Sequence, residues 1–163
     1  MTPVAAITAA YLDRWDEAFA VMGAAANDGD DYARAQLDVL SGDLDTLLQP
    51  PKMERIHDSS SVFVCRGFAP PAICDWLIQR AQPRLRPALV HNAKLGRLEE
   101  DSSRTNTTSV IEVDMINAVM QERAARLTRV PKVQHEPPTI SPMKSAKSST
   151  IITTTSTRIS RVR

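Results

Sequence analysis

The side chains that most readily bind metal ions, histidine and cysteine, are scarce in this chain. Its 163 residues include three histidines and two cysteines. Cys65 and Cys74 are too few and too arbitrarily spaced for a zinc site or a disulfide framework. We predict that both are small buried side chains in a reducing compartment. His135 precedes Glu-Pro-Pro and is predicted to be a surface residue, so these residue types alone indicate no metal site.

Residues 1–52 are predicted to form a helical hairpin. Apolar residues recur every three or four positions over 7–22, which is the period of one buried helix face. Gly29 ends this first helix, and a second is expected over 32–47 with a break at 41–43. The segment AFAVMGAAANDGDDYARAQLDVL resembles one Sel1-like or tetratricopeptide unit. The alternative is a plain hairpin of two helices that docks on the next domain.

The polar residues 53–61 are predicted to be a linker, after which the chain changes character. A short β-rich run at 62–66 precedes a helix that starts at Pro70-Pro71 and extends to Pro83. Further short strands are expected at 88–91 and 107–113, with a charged loop at 94–103 between them and a lead-in to another strand at 134–140.

Asp114 is a good cap for a helix whose apolar face includes Met115, Val119 and Leu127. Residues 121–129 are predicted to form its charged outer face and a basic C-terminal end, which suits the helix dipole. This order of strands and helices indicates an α+β domain that has only begun to build its sheet.

Four pieces between residues 62 and 140 stand in the order found in one enzyme family. They are the segment VFVCRGFAPPAICDWLIQRAQPRL, the strand start Arg104-Thr105-Asn106, the helix IEVDMINAVMQERAARLTRVP with Arg123 and Pro131 at signature places, and the step Gln134-His135-Glu136-Pro137. Together they resemble the front of the prolyl-4-hydroxylase-type Fe(II)/2-oxoglutarate dioxygenases. The resemblance covers about half of the chain.

For an intact member, the resemblance implies a double-stranded β-helix, which is a jelly-roll-like pair of sheets. Such a domain is expected to bind Fe(II) and 2-oxoglutarate, and ascorbate can keep the iron reduced. Its expected reaction is hydroxylation of a proline or another peptidyl residue, so the implied partner is a protein or peptide substrate.

The chain departs from the family after Ile140. There the family has a Tyr-x-x-Gly-Gln-x-Tyr strand and then His-x-Asp, two ligands of a facial triad of two histidines and one carboxylate. None of His57, His91 and His135 is followed two residues later by a carboxylate. We therefore predict that the chain as written has no catalytic residue, no metal ligand, no bound cofactor and no hydroxylase activity.

The tail after Ile140 fits a slip of the reading frame. Met143 has one codon, which ends in G, and every codon for Lys144 begins with AA. A reading frame that starts at the third base of each codon therefore reads GAA, which encodes Glu, at this point. Permitted codons for the rest give AYEVGQEFNHHHDYID, which contains Tyr-x-x-Gly-Gln-x-Phe-x-x-His-x-Asp. We infer a slip of one or two bases near Ile140, and we predict that 141–163 is a disordered, out-of-frame tail.

Arg104 is the one polar residue that the resemblance places near an active site, on a strand that faces the substrate groove. Its guanidinium could hold a carbonyl or carboxylate through two hydrogen bonds. The alternative is a solvated or structural arginine after a charged loop.

Charge and hydropathy narrow the class of protein. The tail from Ser141 has five basic residues and no acid, so the rest has 15 basic against 19 acidic side chains. A mildly acidic body does not favour a nucleic-acid protein, and no apolar run approaches the roughly 20 residues that span a membrane. The N-terminus lacks a signal-peptide pattern, so a cytoplasmic protein is expected. The competing class is a non-enzymatic interaction module built on the N-terminal helices.

Overall fold

The computed structural model describes residues 2–57, 62–100, 106–144 and 149–154. The described chain mixes helices with short antiparallel strands, which confirms the α+β class. The helices are α1 (Val4–Tyr11), α2 (Trp15–Asn27), α3 (Asp31–Val39), α4 (Leu44–Leu48), α5 (Pro71–Ala81) and α6 (Met115–Thr128), with short 3₁₀ turns at Gln82–Arg84 and Lys132–Gln134. The strands are β1 (Glu54–His57), β2 (Val62–Val64), β3 (Arg86–Pro87), β4 (Leu89–Asn92), β5 (Arg97–Glu100), β6 (Thr107–Val110), β7 (Thr139–Lys144) and β8 (Ser149–Thr154).

The chain divides into two compact units that do not follow the predicted boundaries. Unit 1 contains Met1–Cys74, Glu112–His135 and the tail Thr157–Arg163, which lies outside the described residues. Unit 2 contains Asp75–Ile111 and Glu136–Ser156. The division into a helical domain at 1–52 and a second domain at 62–140 stays a prediction, and unit 1 also includes Glu112–His135. The reason is that α6 packs against α1, α3 and α4.

The segment before Gly29 is helical, as predicted, but it forms two helices instead of one. The stretch predicted as one helix is two, because Asp13 adopts a left-handed backbone with φ of 59° between α1 and α2. α1 buries only alanines on its packed face, which allows a close approach to its neighbour. The break at 41–43 is confirmed, since α3 ends at Val39 and α4 starts at Leu44.

Aspartates cap the two short helices that follow α2. The Asp30 carboxylate accepts hydrogen bonds from the backbone N–H groups of Tyr32 and Ala33, and Asp43 accepts one from Thr46. These backbone donors lower the pKa of both carboxyls, because they stabilise the charged form. Each cap satisfies donors that a helix start otherwise leaves unpaired.

Part of the predicted linker is a strand. Residues 54–57 form β1, which pairs antiparallel with β2 over Glu54↔Val64 to His57↔Val62. The prediction failed because 54–57 carries no regular apolar alternation, and all four of its residues are exposed. The remaining linker residues 58–61 lie outside the described residues.

Helix α5 and the first strands of unit 2 follow the sequence prediction closely. α5 begins at Pro71 and buries Ile73, Leu77 and Ala81, and 89–92 and 107–110 are strands. The predicted charged loop at 94–103 is wrong over 97–100, which forms β5 and pairs with β4. Asn92 closes the turn between them by accepting hydrogen bonds from the backbone N–H groups of Lys94 and Leu95.

Unit 2 contains a four-stranded sheet in the order β3-β6-β7-β8, with every described pair antiparallel. Ile140, the last residue before the predicted slip, pairs with Ser109 and is buried, as is Ile111. The Ser141 hydroxyl donates to the backbone carbonyl of Thr107, 2.8 Å away. The predicted lead-in to a strand at 134–140 is thus confirmed by β7.

The prediction of a disordered tail does not hold for every residue after Ile140. Residues 141–144 continue β7, and 149–154 form β8, which pairs with β7 from Thr139↔Thr154 to Lys144↔Ser149. Runs of isoleucine and threonine favour extended backbone whatever their origin, because β-branched side chains fit a pleated strand. Residues 145–148 and 155–163 lie outside the described residues.

Candidate functional site

Two polar side chains accept hydrogen bonds from backbone N–H groups in the first turn of helix α6. The Asp114 carboxylate accepts a hydrogen bond of 2.8 Å from the backbone N–H of Asn117, which confirms the predicted cap. The Met115 N–H donates to the side-chain oxygen of Gln36, which is fully buried in α3. Tyr32 of the same helix donates to Asp114 through its hydroxyl. The start of α6 therefore depends on α3.

The prediction that 121–129 forms a charged outer face is wrong for the first three residues. Gln121, Glu122 and Arg123 are 8%, 7% and 4% exposed. All three have partners in segments distant in the sequence or in their own helix, as buried polar groups require. These residues and Lys132 form the polar cluster of unit 1.

Arg123 is the most connected member of the polar cluster. Its guanidinium donates to the backbone carbonyls of Leu47 and Gln49, at the end of α4, and to that of Phe68, before α5. The guanidinium carbon also lies 5.6 Å from the centre of the Phe68 ring. Burial lowers the pKa of Arg123, because removal from water disfavours the charged form. The arginine remains charged near neutral pH and acts as a structural clamp.

Lys132 has all three of its ammonium hydrogens engaged. It donates to the carbonyl of Ala10, to the carboxylate of Asp13 and, over 2.8 Å, to the carboxylate of Glu122. Its nitrogen lies 5.4 Å from the centre of the Trp15 ring. Glu122 also accepts from Arg126 over 2.6 Å. With every donor occupied, Lys132 positions the turn between α1 and α2 and is not free to act as a base.

Tyr11 joins the polar cluster through a short hydrogen bond from its hydroxyl to the side-chain oxygen of Gln121. Burial raises the pKa of Tyr11, and the hydrogen bond with Gln121 and the charge of Lys132 oppose that rise in part. The phenol is therefore neutral at physiological pH and is a donor, not a nucleophile.

Two open clefts lie beside the C-terminal end of α6, both within unit 1. One, of about 460 Å³, is bordered by Tyr11, Asp13, Glu122 and Lys132 and exposes the polar cluster at one side. The other, of about 480 Å³, lies between residues 49–53 and 126–129. These clefts are the concave surfaces at which unit 1 could bind a ligand.

Arg104 is the one residue for which the sequence predicts a role near an active site. Arg104 lies outside the described residues, so its predicted role at a substrate groove stays a prediction. His57 and His91 are exposed on β1 and β4. His135 is half-buried, so its predicted surface position is wrong for the ring nitrogens, which are buried without a hydrogen-bond partner among the described residues.

The two cysteines also differ from their prediction as buried side chains. Cys65 is half-buried and Cys74 is exposed, and neither forms a disulfide within the described residues. Cys74 faces outward because its neighbour on α5, Ile73, takes the buried position.

The ligands that the resemblance implies for iron are not grouped within the described residues. Residues 2–57, 62–100, 106–144 and 149–154 contain no group of three or more His, Cys, Asp or Glu side chains that could hold a metal ion. No catalytic step through iron can therefore be assigned to these residues.

Comparison with protein-family models gave no match, and neither did comparison with curated proteins or with solved structures. Within the described part of the chain, no helix combines the length and apolar composition that crossing a bilayer requires.

Replacing Arg123 with Met should lower the free energy of unfolding by about 3 kcal/mol, because three carbonyls lose a charged donor. Urea unfolding followed by far-UV circular dichroism measures the change. Arg97→Met is the matched control, since Arg97 is exposed on β5 and makes no described side-chain contact. Equal effects of the two substitutions would contradict the clamp.

The raised pKa of Tyr11 predicts a loss of stability at alkaline pH. The unfolded chain releases the phenolic proton near the ordinary pKa of 10.0, and the folded chain releases it at higher pH. The free energy of unfolding therefore falls as pH rises above 10. Tyr32→Phe leaves Tyr11 as the sole tyrosine, so phenolate absorbance reports its titration, with circular dichroism confirming that the chain stays folded.

The same variant in urea is the control for the Tyr11 titration and should titrate near the ordinary value. A folded-state midpoint equal to or below the unfolded one would show that Tyr11 is not buried as described.

Proposed function

We propose that this chain carries the front of a prolyl-4-hydroxylase-type Fe(II)/2-oxoglutarate dioxygenase domain without its iron site. The observation that carries the proposal is the order β2, α5, β3, β4, β5, β6, α6, β7 over 62–144, in which β4 and β5 form a separate hairpin between β3 and β6. This order agrees with the strands and helices of the resembling segments, and β7 begins at Thr139, next to the step at Gln134–Pro137. An intact member would hydroxylate a proline or another peptidyl residue.

The sheet of unit 2 supports the finer architecture that we propose. A double-stranded β-helix is built from antiparallel strands, and β3, β6 and the part of β7 up to Ile140 pair antiparallel. β8 lies after the inferred slip and does not bear on this proposal. In this proposal, the sheet is the first part of a jelly-roll that is otherwise missing. β7 ends in residues that replace the family's Tyr-x-x-Gly-Gln-x-Tyr strand.

The absence of hydroxylase activity follows from the donor set. A facial triad needs two histidines and a carboxylate that converge, and the sequence provides no His-x-Asp in its own frame. 2-Oxoglutarate in turn needs a metal and a basic partner for its carboxylates. We therefore propose that the chain as written binds neither Fe(II) nor 2-oxoglutarate, and that ascorbate has no role in it.

The proposal is tested by DNA across the Ile140 codon, together with turnover by two proteins. We expect a shifted frame that encodes His-x-Asp and, downstream, a further histidine and a basic residue. The chain as written should form no succinate from 2-oxoglutarate with Fe(II) and ascorbate, whereas the product of the restored gene should form it. Turnover by the chain as written, or a downstream frame without a further histidine, would overturn the proposal.

A second candidate function, a non-enzymatic interaction module, is favoured by one specific feature of unit 1. Its helices α1, α3 and α4 are held on α6 by the polar cluster and Gln36, independently of any iron site. A clamped helical unit can present a binding surface even when the second domain is incomplete. The partner in this case is a protein or peptide.

A further inference from the structure

The cleft between residues 49–53 and 126–129, which we call the basic groove, has an unusual charge distribution. Lys52, Arg126 and Arg129 line it, and no acidic side chain does. Arg126 forms an ion pair with Glu122, which lies one turn earlier on α6. Lys52 and Arg129 are exposed and have no ion pair or side-chain hydrogen bond within the described residues.

Arg129 occupies a backbone position at which an arginine is unfavourable. Arg129 caps α6 in the left-handed conformation, with φ of 60° and ψ of 25°, and its N–H donates to the carbonyl of Ala125. Glycine is the usual residue at such a helix end, because a side chain strains this backbone. Arg129 is therefore a strained arginine whose guanidinium makes no hydrogen bond or ion pair within the described residues. Strain without an internal gain indicates a role outside the chain.

The helix dipole accounts for only part of this charge. A helix C-terminus attracts cations, which suits Arg126 and Arg129. Lys52 belongs to another segment, beyond Pro50 and Pro51, and its presence beside the end of α6 is not a property of that helix. Two segments thus bring unpaired cations to one groove.

We propose that the basic groove binds an acidic peptide segment of a partner protein. Between the cations, the groove is lined by apolar Pro51, Met53 and Leu127 and by polar Gln49 and Thr128. This lining suits a peptide chain whose carboxylates pair with Arg129 and Lys52. No aromatic side chain lines the groove, so it lacks the stacking platforms that single-stranded nucleic acids use. This inference does not depend on the proposed dioxygenase origin of the chain.

The test is fluorescence anisotropy of the full chain with a labelled peptide of alternating Glu and Ala. A peptide of alternating Gln and Ala with the same label is the ligand control. We expect binding of the acidic peptide only, weakening as salt is raised. Arg129→Gly should lower the affinity about tenfold, or about 1.4 kcal/mol, and at the same time raise the thermal midpoint.

A variant that binds more weakly but unfolds at a higher temperature has lost a contact with the peptide and has not lost its fold. Lys52→Gln should also weaken binding, whereas Lys94→Gln removes the same charge from the exposed turn between β4 and β5 and should leave it unchanged. Unchanged binding by Arg129→Gly, or equal loss in Lys94→Gln, would overturn the proposal. So would tighter binding of a single-stranded oligonucleotide at the same salt, or full competition by inorganic phosphate at concentrations matched in charge.

Discussion

The guanidinium of Arg123 has lost most of its contact with water, and three backbone carbonyls have to offset that cost. Two of these carbonyls, from Leu47 and Gln49, end the N-terminal helices, and the third, from Phe68, precedes α5. One side chain on α6 thus fixes where two other segments of unit 1 run. If it is removed, the carbonyls have no donor, and the path from α4 to β1 loses its anchor.

Lys132 and Glu122 apply the same constraint at the turn between α1 and α2. Hydrogen bonds and ion pairs are directional, whereas an alanine face such as that of α1 can pack against its neighbour in more than one position. The polar contacts therefore select one arrangement of the helices. None of the described helices exceeds 14 residues, a length at which an isolated helix is marginal in water. The N-terminal helices therefore gain their order from α6 rather than from their own sequence.

Local signals in the sequence predicted several of the elements, but they did not predict β1, β5, the break between α1 and α2, or the polar cluster. The Asp114 cap, the start of α5 at Pro71 and the break before α4 each depend on neighbouring residues, and all were predicted. The burial of Arg123 was not, because its partners lie 55 to 76 residues away in the sequence. In the sequence, Arg123 was marked only by its position at a signature place of the resemblance. That position indicated that the residue matters, but it did not predict which groups the residue contacts.

The central claim is that α6 completes the N-terminal helices, so that 1–52 is not a domain by itself. Far-UV circular dichroism and urea unfolding of residues 1–52, compared with the full chain, test it most directly. The account predicts weak helicity and no cooperative transition for 1–52, because Arg123, Lys132 and Glu122 are missing. A cooperative transition of 1–52 with near-native helicity would contradict it.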